Sequence, residues 1–134
     1  MLNIKLHLKK FGSEYIRSIN LMVLEKLKAT IVNAYGQEFP KTAAMLVTKE
    51  GIEIFGVSIE IGDNIIYTTS ITNVICNAVS EGFREFLNLY VYCGKKSIDK
   101  NKIILDKETI GLLNEFNINQ FTLFSPEGEL IINV

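Results

Sequence analysis

Few residues of this chain could ligate a metal or attack a carbonyl: one histidine, His7, and two cysteines, Cys76 and Cys93. Nucleophilic catalysis needs an imidazole within hydrogen-bond reach of its serine or cysteine, held by a third group. His7 is the single imidazole, and no nucleophile elbow marks any serine. A zinc site from His7, Cys76 and Cys93 would have to be gathered from three unrelated segments. Two cysteines build no framework of bridges and read as free, buried thiols. Glu50, Glu53 and Glu60 fall on or beside one hairpin, as solvated strand faces do, and a new acid or base would have to come from Glu60, Asp63 or Asp106. Gly51, Gly56 and Gly62 are too scattered to cradle a phosphate. Lys95, Lys96, Lys100 and Lys102, offset by Asp99, read as a solvated loop. Tyr90, Tyr92, Phe121 and Phe124 suit a core better than a base-stacking platform.

The whole chain is consistent with that sparse chemistry. Its 134 residues, 48% hydrophobic and 22% charged, suit one soluble domain spanning 1–134. Basic and acidic residues, 14 and 15, are mixed along the sequence, so a nucleic-acid backbone finds no electrostatic footprint. No apolar run approaches the roughly 18 residues of a membrane span. The N-terminal segment lacks a signal-peptide core, and a cytoplasmic location is the expectation.

Leu2, Ile4, Leu6 and Leu8 alternate with Asn3, Lys5 and His7, which predicts an extra strand within 1–12. Ser13 can cap a helix reaching about Ala34, broken near Ser18-Ile19-Asn20, with Gly36 just past its end. Ala43–Thr48 and Ile52–Glu60 form a hairpin around Lys49-Glu50-Gly51. A loop containing Gly62-Asp63-Asn64 leads to a helix over Ser70–Ser80 that Gly82 ends. Phe86–Tyr92 reads as a strand covered on both faces, followed by a polar loop over Gly94–Lys102. Asp106 caps a helix to Phe116, and Gln120–Ser125 and Glu129–Val134 are strands about Pro126-Glu127-Gly128. Strands joined through helices imply parallel pairing in the second half of the sheet. The fold class is therefore α/β, a three-layer α/β/α sandwich with a mixed sheet.

Four stretches in this order carry a resemblance. Phe39–Gly51 (FPKTAAMLVTKEG) resembles F-x-V-G-A-A-L-L-T-x-D-G, and Gly56-Val57-Ser58-Ile59-Glu60 resembles G-V-N-V-E. Ala78–Phe86 (AVSEGFREF) resembles A-V-S-E-G-x-R-x-F, and Leu112–Phe116 (LLNEF) resembles V-L-x-E-F. All four are motifs of the cytidine deaminase-like family, the small deaminases of free-nucleoside or blasticidin type, and they cover roughly residues 20 to 130.

The resemblance implies a zinc ion held by three N or S ligands, with an activated water and a glutamate that shuttles protons. Counting from the matching motifs puts the first ligand at Thr69, the glutamate at Ile71 and the paired cysteines at Asp106 and Thr109. None of these supplies a thiolate or imidazole, and isoleucine moves no proton. The expectation is a divergent member with vacated metal and catalytic positions, no cofactor and no zinc-dependent deamination. The family's nucleoside-binding positions fall on Phe39, Ser58 and Glu60, so part of a sugar-binding edge is retained. The family's dimers and tetramers imply a homo-oligomer, with Phe83–Phe86 and the Thr69–Ser80 helix as candidate faces. Two functions fit: a silent protein that binds a protein partner or a nucleoside-like ligand, or a metal-independent enzyme reusing the cleft.

Overall fold

The computed structural model describes residues 2–62, 66–95 and 105–134, and for residues 2–13 the helical backbone alone. In chain order the elements are α1 (Leu2–Thr30), a 3-10 turn (Ile31–Asn33), β1 (Thr42–Thr48), β2 (Glu53–Val57), β3 (Ile59–Ile61) and β4 (Ile66–Thr68). They continue with α2 (Ser70–Ser80), β5 (Phe86–Cys93), α3 (Lys107–Glu115), β6 (Gln120–Ser125) and β7 (Gly128–Asn133).

Five strands form one sheet in the order β2-β1-β5-β6-β7, and β3 and β4 form a separate ladder. Pairing is antiparallel except between β5 and β6, which run parallel because α3 carries the chain across. The mixed sheet matches the sequence expectation, and the parallel pairing expected in its second half is confined to β5 and β6.

Each sheet face has its own core. Val23 and Leu27 of α1 pack on Ala43, Met45 and Phe124. On the other face Ile71, Val74, Ile75 and Ala78 of α2 and Leu113 of α3 pack on Ala44, Leu46, Leu89, Val91, Phe121 and Leu123. Alternate residues of β1 serve both layers, which is why the strand is apolar nearly throughout. Each such buried Leu, Ile or Phe contributes roughly 1.5–3 kcal/mol. A Cβ on Gly56 would lie 2.5 Å from the Val74 nitrogen, so only glycine lets α2 sit this close to β2.

Several boundaries depart from the sequence reading. The extra strand expected within 1–12 is replaced by helix from Leu2 onward: α1 runs unbroken through Ser13 and past Ser18-Ile19-Asn20. Ile4, Leu8 and Phe11 also fit helical spacing, and Ile4 is the one β-branched residue among 2–12, so propensity favours helix. The segment Ile52–Glu60 splits at Ser58, whose backbone N–H turns to the Thr42 carbonyl and whose carbonyl accepts from Tyr35. Cys93 is buried as expected but Cys76 is exposed on α2. Strand β5 is covered on both faces only from Leu89 onward; Leu87 and Asn88 are exposed at a groove between the sheet and α1. Residues 63–65 and 96–104, with Asp63, Lys96, Asp99, Lys100 and Lys102, lie outside the described residues, as does the side chain of His7. No described helix is long and apolar enough to cross a membrane.

Candidate functional site

Helices α2 and α3 are built alike. Thr69 and Asp106 are extended residues just ahead of them, and each side chain caps its helix. Thr69 Oγ1 accepts from the Thr72 N–H at 3.1 Å, and Asp106 Oδ1 from the Thr109 N–H at 2.7 Å. Both helices also end alike, at Gly82 (φ 95°) and Asn117 (φ 57°), with paired backbone bonds that satisfy the last carbonyls. Each helix thus carries a threonine three residues after its cap.

Where the two N-termini meet, three hydroxyls close a ring. Thr69 and Thr109 Oγ1 are 2.8 Å apart, Thr72 and Thr109 Oγ1 3.0 Å, and Thr69 Oγ1 donates to Thr72 Oγ1 at 3.2 Å. If Thr72 donates to Thr109 and Thr109 to Thr69, every hydroxyl donates once and accepts once from its neighbours, the arrangement in which hydrogen bonds reinforce one another. The ring is dry: Thr69, Thr72 and Thr109 are 1%, 6% and 0% exposed. Of the four positions singled out from sequence, Thr69 and Thr109 therefore meet. Asp106 supports the ring through its cap, and Ile71 points away into the core between α2 and the sheet.

The donor set does not suit zinc. A catalytic zinc is held by three thiolate, neutral imidazole or carboxylate donors, whereas three groups here are neutral hydroxyls bonded to each other and the one carboxylate, Asp106, is engaged in capping α3. Among the described residues no group of three His, Cys, Asp or Glu is placed to hold a metal.

Phe39, Ser58 and Glu60 are occupied by their own chain. The Thr42 N–H donates to Ser58 Oγ at 2.9 Å, and Thr42 Oγ1 donates to Ser70 Oγ at 2.8 Å. Glu60, 7% exposed, accepts from the Glu38 N–H at 2.9 Å and the Phe39 N–H at 3.1 Å. It is not a solvated strand-face carboxylate: both its oxygens accept from the backbone of the neighbouring turn. Burial pushes its pKa up, but the N–H groups of Phe39, Glu38 and Gln37 outweigh burial and hold it below the ordinary value. Gly36, at φ 141°, closes this cage; a Cβ there would lie 2.6 Å from Glu60 Cβ.

The Phe39 ring is covered by Tyr67, their centroids 4.7 Å apart. The Tyr67 hydroxyl is buried and has no hydrogen-bond partner among the described residues. Burial first, then negative charge at Cys93, Asp106 and Glu60, pushes its pKa up to about 12. Burial likewise pushes the Cys93 thiol up, opposed in part by the Lys95 backbone and charge. The open space lies to one side: a polar cleft of ≈ 530 Å³ lined by Tyr35, Gln37, Glu38, Lys41 and Glu60, among others, which neither Phe39 nor Ser58 lines.

Sequence reasoning missed Thr72 and Tyr67. Thr72 had a signal, since Thr69-x-x-Thr72 and Asp106-x-x-Thr109 share the cap-to-third-residue spacing. Tyr67 had none, because its contact with Phe39 spans 28 positions.

Solved structures resemble this chain in fold. A cytidine deaminase from Burkholderia pseudomallei matches with a TM-score of 0.66 at 17% identity, over 81% of this chain and 87% of that one. One from Mycobacterium leprae matches with 0.57 at 14%, over 81% and 92%. One from Mycobacterium tuberculosis matches with 0.58 at 16%, over 79% and 87%. No protein-family model matches the chain, and no curated protein sequence does. The chain has a cytidine deaminase-like fold.

Proposed function

With that fold as premise, we propose that this chain is a catalytically silent version of it that acts by binding, through its surface, a protein partner and further copies of itself. The observation that carries the reading is the ring of Thr69, Thr72 and Thr109, which joins two of the positions where the resemblance calls for zinc ligands. Hydroxyls that satisfy one another in a dry site leave neither a ligand set nor a free valence for an activated water.

The two alternatives have weaker support. A nucleoside at Phe39, Ser58 and Glu60 would have to displace Tyr67, the Thr42 N–H and the backbone donors on Glu60. The cleft of ≈ 530 Å³ beside Glu60 is what favours a small polar ligand. A metal-independent enzyme would need a base poised near neutrality. Glu60 is shifted the other way and its oxygens are already engaged. A reducing, cytoplasmic setting suits the buried free thiol of Cys93.

The test is metal content and cytidine turnover of protein produced with zinc supplied. Neither bound zinc nor released ammonia is expected. A variant carrying Thr69→Cys, Asp106→Cys and Thr109→Cys is expected to acquire one zinc per chain. Stoichiometric zinc in the unaltered protein together with ammonia release from cytidine would overturn the reading.

A further inference from the structure

Strand β7 is the outer strand on one side of the sheet and pairs with β6 alone. The Val134 N–H reaches back to the Asn119 carbonyl at 2.9 Å, so the even-numbered backbone groups of this strand face β6. Because donors and acceptors alternate along an antiparallel pair, the N–H and C=O groups of Glu129, Ile131 and Asn133 face outward, without partners among the described residues. The strand lacks the usual protection of an edge: Gly128–Asn133 contains no lysine and no proline. Its one charge, Glu129, accepts from Asn20 of α1 at 3.0 Å and is turned toward its own chain. Leu130 and Ile131 project from opposite faces and are 46% and 56% exposed.

We propose that β7 pairs antiparallel with β7 of a second copy, about a two-fold axis at Ile131. This rests on the self-association part of the proposed function and does not depend on catalytic silence. The register is self-complementary. Ile131 faces Ile131 of the second copy, Glu129 faces Asn133, and Leu130 faces Ile132, so no like charges are opposed. All three outward residues fall in pairs that exchange both backbone bonds. On the α1 side, Ile131 lines a groove of ≈ 450 Å³ with Ile16, Ile19 and Tyr90, which the pairing would extend across the axis. The segments expected from sequence offer less: Asn73, Asn77 and Arg84 already donate to carbonyls of their own chain.

Sedimentation equilibrium of the full chain, with hydrogen exchange at rising concentration, tests this. A dimer is expected in which the amides of Glu129, Ile131 and Asn133 gain protection as concentration rises. Ile131→Lys places like charges on the axis and Ile131→Pro removes an outward N–H that the monomer does not use. Each is expected to weaken association by at least roughly tenfold with far-UV circular dichroism unchanged. A monomer at the highest soluble concentration would overturn both this inference and self-association. A dimer that survives both variants, or whose three amides stay unprotected, overturns the β7 interface alone.

Discussion

At the junction of α2 and α3 the buried hydroxyls of Thr69, Thr72 and Thr109 all have partners, whereas two residues before Thr69 the hydroxyl of Tyr67 is buried with none among the described residues. Both groups lie at the start of α2, yet their energetics are opposite. A closed ring of hydroxyls stabilises the meeting of two helix ends. An orphan hydroxyl costs the desolvation of its dipole and gives nothing back. A polar interior is therefore informative only once each donor and acceptor has been followed to its partner.

Breaking the ring should have the largest effect. Thr69→Val removes a helix cap and takes one of two partners from each of the Thr72 and Thr109 hydroxyls, which keep only each other, and should destabilise by about 2–3 kcal/mol. In thermal unfolding that corresponds to a drop of roughly 10 °C. Thr69→Ser keeps the oxygen and should recover most of the loss. Thr69→Val with Thr109→Val should cost less than the sum of the two changes, because each removes a hydroxyl that the other would have left with one partner fewer. Additive costs would mean that the three hydroxyls do not act as a unit.

Glu60 sharpens the contrast with a charge. Its carboxylate is held below the ordinary value of 4.5 by backbone donors that outweigh burial. A lowered folded pKa means that the unfolded chain takes up protons first as pH falls. The stabilisation is therefore complete above the unfolded value and is lost as pH falls through the folded one. Glu60→Gln puts an amide NH₂ against the N–H groups of Glu38 and Phe39. It should lower the melting temperature at neutral pH, with the gap to the unaltered protein closing in acid. A gap independent of pH would mean that Glu60 anchors the Gly36–Phe39 turn by shape and not by charge.

The order of elements along the chain after α1, the antiparallel hairpin and the two capped helices were legible because each rests on local signals: alternation, a glycine turn, a cap residue before an apolar stripe. Thr69 meeting Thr109 was legible only through the motif spacing around both. The first turns of α1 were misread because Leu2–Leu8 satisfies a period of two and helical spacing in part, and leucine and lysine favour the helix. Glu60 was misread as a solvated strand-face carboxylate because its partners are backbone N–H groups on a turn some 22 positions away, which no side-chain pattern encodes.

Tyr67 should give the smallest effect and the most discriminating one. If its ring covers Phe39 and its hydroxyl serves nothing, Tyr67→Phe keeps the tilted ring contact at 4.7 Å and deletes only the unpaired group. Denaturant unfolding should then show stability unchanged or raised by up to about 1 kcal/mol, against the clear loss expected for Thr69→Val. Titration by ultraviolet absorbance should lose one late-ionising phenol, the one pushed up to about 12. A loss of stability comparable to the threonine variants would mean that the hydroxyl is held by an ordered water. The interior would then be polar and satisfied on both sides, and the difference between the two regions would disappear.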